Sequence, residues 1–266
     1  MRNRIGSVAL ACVLAGALIG CVVAPYSSEP VAAAQEQASE PPPPLPVYEQ
    51  PPCPEDGYVW TPGLWRWGPE GYFWVPGTWV APPQIGVLWT PGYWALAGAL
   101  YVFHPGYWGA HVGYYGGINY GGGYTGYGYA GGRWRGDRFE YNTAITNVNT
   151  TIVHNTYHET VINDVHETNV TRVSYVGAPG TRPQPNRTES SFGRETHTTY
   201  TQPQLAHHDT ARTSPMQNAA RNEGRPPVAA TPRPSAFSSP GVTAAKPVGP
   251  AYHPEHPQGH EERPEH

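Results

Sequence analysis

Four copies of one aromatic motif between residues 57 and 108 limit the folding options of this chain more than any other feature. They read G-Y-V-W-T-P-G-L-W (57–65), G-Y-F-W-V-P-G-T-W (71–79), V-L-W-T-P-G-Y-W (87–94) and L-Y-V-F-H-P-G-Y-W (100–108). The lead aromatics Trp60, Trp74, Trp89 and Phe103 stand 14, 15 and 14 residues apart. Such periodicity means that one supersecondary unit is used repeatedly. Each Pro-Gly pair suits the centre of a turn, because Pro presets its own φ and Gly tolerates the positive φ of a type II turn. A turn at Pro62-Gly63 sets Thr61 opposite Leu64, Trp60 opposite Trp65 and Tyr58 opposite Trp67. Side chains alternate along strands, so these aromatics share one face of a hairpin. Tyr72, Trp74 and Trp79, then Trp89 and Trp94, then Tyr101, Phe103 and Trp108 repeat the arrangement. Type II turns twist against their flanking strands, which leaves splayed strands or a wider turn as the alternative. The expected fold is all-β: a small antiparallel meander of aromatic hairpins over 57–110, between a long disordered N-terminal linker and a C-terminal tail.

An aromatic face has two uses. Exposed, it is a platform on which sugar rings stack, and Trp60, Trp65, Trp74, Trp79, Trp89, Trp94 and Trp108 are then the ligand-binding candidates. Buried, it is the core that a small sheet requires for stability. The core reading is preferred for the set as a whole.

The flanks differ in composition. Residues 21–56 hold P-P-P-P-L-P, P-P-C-P, six acidic residues and no basic one, the makeup of an extended tether. Residues 111–140 are rich in Gly and Tyr and are expected to cover the repeats irregularly, with Arg133 and Arg135 able to stack on Trp134 or on a sugar. Half of the 36 residues in 141–176 are Val, Ile or Thr, which favours strands, although Ile145, Val148 and Ile152 also fit one helical face. Residues 177–266 are a Pro, Ala, Thr and His tail without periodicity, expected to be disordered.

The N-terminus carries an export signal. Arg2 and Arg4 precede an uncharged apolar run from Ile5 to Ile19, too short to span a membrane comfortably. The run ends in Leu18-Ile19-Gly20-Cys21, which resembles the lipobox of bacterial lipoproteins. That resemblance implies cleavage after residue 20, lipidation of Cys21 and, with Val22 rather than aspartate following, outer-membrane sorting. Ordinary signal cleavage, leaving a soluble periplasmic or secreted chain, is the alternative. Cleavage at Cys21 takes the Lys+Arg count from 16 to 14 against 20 acidic residues, a net of about −6 that favours solubility. Cys12 leaves with the signal and Cys21 is acylated, so Cys53 stays an unpaired thiol, read as inert in the linker.

Other chemistry finds little support. Lys246 is the sole lysine and charged residues are 14 % of the chain, so no basic stripe can neutralise phosphates and nucleic acid is not an expected partner. No nucleophile elbow, phosphate loop or carboxylate pair is present in the repeat region, and neither an enzyme nor a cofactor is expected. His154 and His158 stand four apart with His166 beyond, but no accompanying Glu makes a zinc helix. His253, His256 and His260 in the tail suit at most loose metal capture, and solvated histidines are the preferred reading.

Residues 57–108 resemble the bacterial YXWGXW-repeat family, and G-Y-Y-G-G-I-N-Y-G and G-G-R-W extend the likeness toward residue 140. The resemblance implies a secreted or lipoprotein envelope protein, and it supplies no site residues. The expected function is therefore a non-catalytic envelope lipoprotein with a structural or adhesive role, facing the periplasm or the cell surface. Its partners would be the membrane, through the lipid anchor, and a cell-wall glycan or another envelope protein. A carbohydrate- or peptidoglycan-binding module is the alternative.

Overall fold

The computed structural model describes residues 35–160, 172–181, 183–247 and 252. Cys21, residues 1–20 with the expected export signal, His166 and the tail histidines His253, His256 and His260 lie outside them. Among the described residues the fold is mostly short strands in small hairpin sheets, with few helices.

After the two-residue β1 (Gln37–Ala38), the repeat region forms β2 (Val59–Thr61), β3 (Leu64–Gly68), β4 (Gly71–Val75) and β5 (Gly77–Val80). It continues with β6 (Leu88–Thr90), β7 (Tyr93–Ala97), β8 (Leu100–His104) and β9 (Tyr107–Gly109). The pairing differs from the one expected at each Pro-Gly. β3 pairs with β4 and β2 with β5, so Trp65 faces Trp74 and Trp60 faces Trp79. The second half repeats this, with Trp94 facing Phe103 and Trp89 facing Trp108. Two long hairpins thus replace four short ones, and each is broken at a Pro-Gly in both strands.

Turn chemistry explains the difference. The chain reverses at Pro69-Glu70 and at Gly98-Ala99, where Gly71 (φ +91°) and Gly98 (φ +65°) take the left-handed backbone. None of Gly63, Gly77, Gly92 and Gly106 does so. Pro lacks the N–H that a ladder needs, so Pro62, which stands across from Gly77, and Pro76, across from Gly63, interrupt pairing without reversing the chain. The strands resume in a different sheet: β2 and β5 join one with β16 (Ala230–Thr231), while β3 and β4 form a two-stranded sheet, which Phe73 bridges to Asn218.

The break sends the outer and inner rings to separate cores. Trp60, Trp79, Trp89 and Trp108 pack with Tyr115, Tyr124, Phe139, Tyr141 and Cys53. Trp65, Trp74, Trp94 and Phe103 pack with Tyr72, Ala38, Leu45 and Ile118. The Gly/Tyr segment supplies β10 (Asn119–Gly121) and β11 (Tyr124–Thr125), and its Tyr124 hydroxyl lies 3.2 Å from the Trp60 carbonyl and 2.9 Å from that of Trp89, tying the two hairpins together. The hairpin β12 (Gly132–Arg135) and β13 (Arg138–Asn142) closes the outer core, and β14 (Thr156–Tyr157) and β15 (Tyr175–Val176) add parallel edges. No helix forms around Ile145, Val148 and Ile152: Ile152 is exposed and Val148 bridges Cys53.

Both flanks are corrected in part. Residues 35–56 do not hang free but strap the repeats, with β1 pairing β8 and Leu45 and Cys53 buried. An extended Pro-rich backbone leaves its carbonyls without ladder partners, and the aromatic cores are rich in stranded donors. Trp65 and Trp79 Nε1–H donate to the Pro44 and Pro51 carbonyls (3.3 and 2.8 Å), and the Tyr72 hydroxyl donates to that of Glu40 (2.9 Å). Residues 183–247 are likewise packed, through α1 (Arg187–Phe192), α2 (Gln202–Thr213), α3 (Ala219–Asn222) and β16. Composition missed this because the segment docks through single polar side chains and backbone groups rather than an apolar stripe. A local signal was present: Asn186 with Glu189 and Thr201 with Gln204 are capping boxes.

Candidate functional site

The seven nominated tryptophans, Trp60, Trp65, Trp74, Trp79, Trp89, Trp94 and Trp108, are each 2 % exposed or less. They pair across the strands with centroids 5.1 to 5.3 Å apart in edge-to-face or tilted arrangements, Trp94 with Phe103 in the fourth pair. Trp67 and Trp134, which the motif does not nominate, are the two tryptophans that keep part of their surface in solvent.

The motif glycines serve these rings. A Cβ on Gly63 would lie 2.2 Å from Trp74 Cζ2, and one on Gly77 2.6 Å from Trp60 Cζ2. In the second hairpin Gly92 meets Phe103 Cζ and Gly106 meets Trp89 Cζ2, each at 2.6 Å. The glycine of each half therefore lies under the lead aromatic of the other half. Residues 56–80 and 86–108 match the WXXGXW repeat family, one copy each. The chain carries two WXXGXW repeats. No curated protein and no solved structure matches the chain.

A WXXGXW repeat is thus one kinked hairpin, and the four copies counted in the sequence are its halves. Each kink leaves backbone groups that the ladder does not satisfy, and each finds a partner outside the repeats. Gly63 N–H donates to the Tyr48 hydroxyl (3.0 Å) and Gly106 N–H to that of Tyr200 (3.3 Å). Gly77 N–H donates to the Ala229 carbonyl (3.1 Å), while the Tyr120 hydroxyl donates to the Gly92 carbonyl (2.7 Å). Burial pushes the Tyr48 hydroxyl up to about 12 and raises Tyr120 and Tyr200 as well, so these groups stay protonated.

The segment after residue 183 supplies further anchors. The Trp74 indole donates to the Ala229 carbonyl (2.9 Å) and the Trp108 indole to Gln204 Oε1 (2.8 Å). His207 spans a kink: its Nε2–H donates to the Pro76 carbonyl and its Nδ1 accepts from Ser235 N–H, both at 2.8 Å. That pair of bonds requires the neutral ring, and burial lowers its pKa to about 4. Sequence reasoning had no signal for these anchors beyond the caps, because each is a lone residue in a polar stretch.

The remaining candidates fall outside this network. Cys53 is 1 % exposed, its thiol donates to the Glu55 carbonyl, and burial pushes it up to about 11. Arg133 and Arg135 both pair with Glu140, and the Arg133 guanidinium lies over Tyr157 (4.0 Å) rather than Trp134. His154 and His158 flank β14 and are not on a helix; His158 bonds Thr143. Among the described residues no group of three or more His, Cys, Asp or Glu is placed to hold a metal.

Proposed function

We propose that this protein is a non-catalytic envelope lipoprotein, exported on residues 1–20, held in the outer membrane by lipid on Cys21, and facing the periplasm or surface. The WXXGXW repeats act in it as a rigid structural element that presents the covering segments to another envelope component. The observation that carries this reading is the burial of all seven repeat tryptophans, whose rings fill the two cores. Large aromatics sunk in a core specify rigidity, and rigidity suits a spacer or adhesive surface that must hold its shape.

Anchoring is tested by feeding cells an alkyne fatty acid and isolating the chain. Label should appear on the wild type and be lost in Cys21→Ala, with the variant released from the membrane fraction. Label retained on Cys21→Ala would overturn the anchor.

A further inference from the structure

Trp134 lines an open cleft of about 400 Å³ on the face formed by the β12–β13 hairpin, within the range of small-molecule sites. Its apolar part is Trp134, Phe139, Pro82 and Ile85, the last two from the link between the repeats. Its polar rim is Asp56, Gln84, Asp137, Arg138 and Asn155. We infer that this cleft binds a saccharide, with a sugar ring packed on Trp134 and its hydroxyls held by Asp137 and Arg138. The site goes beyond the structural role above and does not depend on it.

Four observations carry the inference. Trp134 is fixed before any ligand arrives, since its Nε1–H donates to the Val87 carbonyl (2.9 Å) and its ring meets Phe139 edge to face at 5.3 Å. A ring already held in place loses little freedom on binding. Ile85 is 62 % exposed at the cleft, an apolar surface left open beside a concave site. Asp137 and Arg138 make no side-chain hydrogen bond or ion pair among the described residues, unlike Arg133 and Arg135, which Glu140 occupies. Asp56 is oriented by Asn155 Nδ2 (2.7 Å) and keeps lone pairs free.

The mixture selects the ligand class. Two carboxylates against one guanidinium disfavour a phosphate or other anion, whereas a polyhydroxyl ligand uses donors and acceptors together and lays its C–H face on an indole.

The test titrates the mature chain with chitotriose and with maltotriose, following heat and tryptophan emission. Saturable binding at millimolar concentration or below is expected for at least one of them, weakened about tenfold or more in Trp134→Ala and in Asp137→Asn. Asp137 is exposed, so Asp137→Asn should unfold at the wild-type temperature, which separates lost contacts from lost fold. Trp67→Phe should bind as the wild type does. No saturable response to either sugar, binding undiminished in both cleft variants, or a response only to a lysine-rich tripeptide would each overturn the inference.

Discussion

Gly63 lies under the indole of Trp74, and a Cβ there would come within 2.2 Å of Cζ2 and 2.8 Å of the Gly77 nitrogen. Ring and backbone can both give way only by opening the kink. Gly63→Ala should therefore cost about 1–3 kcal/mol, the range for overpacking a filled core. Gly86→Ala is no fair control because Gly86 has φ +86°, but a Cβ at Gly68 comes no nearer than 3.3 Å to any atom, the Phe73 ring, so Gly68→Ala should cost less. Urea unfolding of the two variants checks the order; equal midpoints would show that the slot is not closed by the ring.

The tyrosine anchors are tested by removing one oxygen. Tyr48→Phe leaves Gly63 N–H, and Tyr200→Phe leaves Gly106 N–H, without an acceptor. Each should lose about 1–3 kcal/mol, the cost of a buried donor left unpaired. Tyr127 is 68 % exposed, and Tyr127→Phe should be neutral.

Truncation addresses the later segment. A chain ending at residue 182 keeps both repeats but lacks Tyr200, Gln204, His207 and Ala229, so the Trp74 and Trp108 indoles and the Gly77 N–H lose their partners. Its tryptophan emission should shift to the red and limited proteolysis should cut within 57–108. Emission and protection matching the full chain would mean that the repeats fold unaided.

Acid should loosen the His207 kink. Its folded pKa is about 4 against an ordinary 6.5, so the unfolded chain takes the proton first. The contribution of the neutral ring is whole above about pH 6.5 and declines as pH falls toward 4, at about 1.4 kcal/mol per pH unit, roughly 3 kcal/mol in all. Melting temperatures from pH 7 to 4.5 should fall less steeply in His207→Gln. Identical slopes would show that another group governs acid stability.

The local features are legible in the sequence: a chain with this aromatic period is built of β hairpins, and rings this numerous become core. The turn position was also within reach, since G-P-E-G and A-G-A-L lie between the motifs as plausibly as Pro-Gly lies inside them. Local turn preference alone does not choose among these loops. The packing of 35–56 and 183–247 is not legible for a related reason, because composition measures apolar area while the strap at 35–56 and the anchors after 183 act by hydrogen bonds.

The sequence by itself determined the repeat, the all-β class and the two points in each hairpin where a proline must interrupt the ladder. Tertiary structure decided that Trp60 meets Trp79 rather than Trp65, and that Trp65, Trp79, Trp74 and Trp108 send their N–H groups to Pro44, Pro51, Ala229 and Gln204. A missing backbone donor is a property of one residue, legible wherever Pro is written. The partner of a stranded donor is whichever acceptor the whole chain brings within 3 Å or so, and that depends on every other contact being made at once.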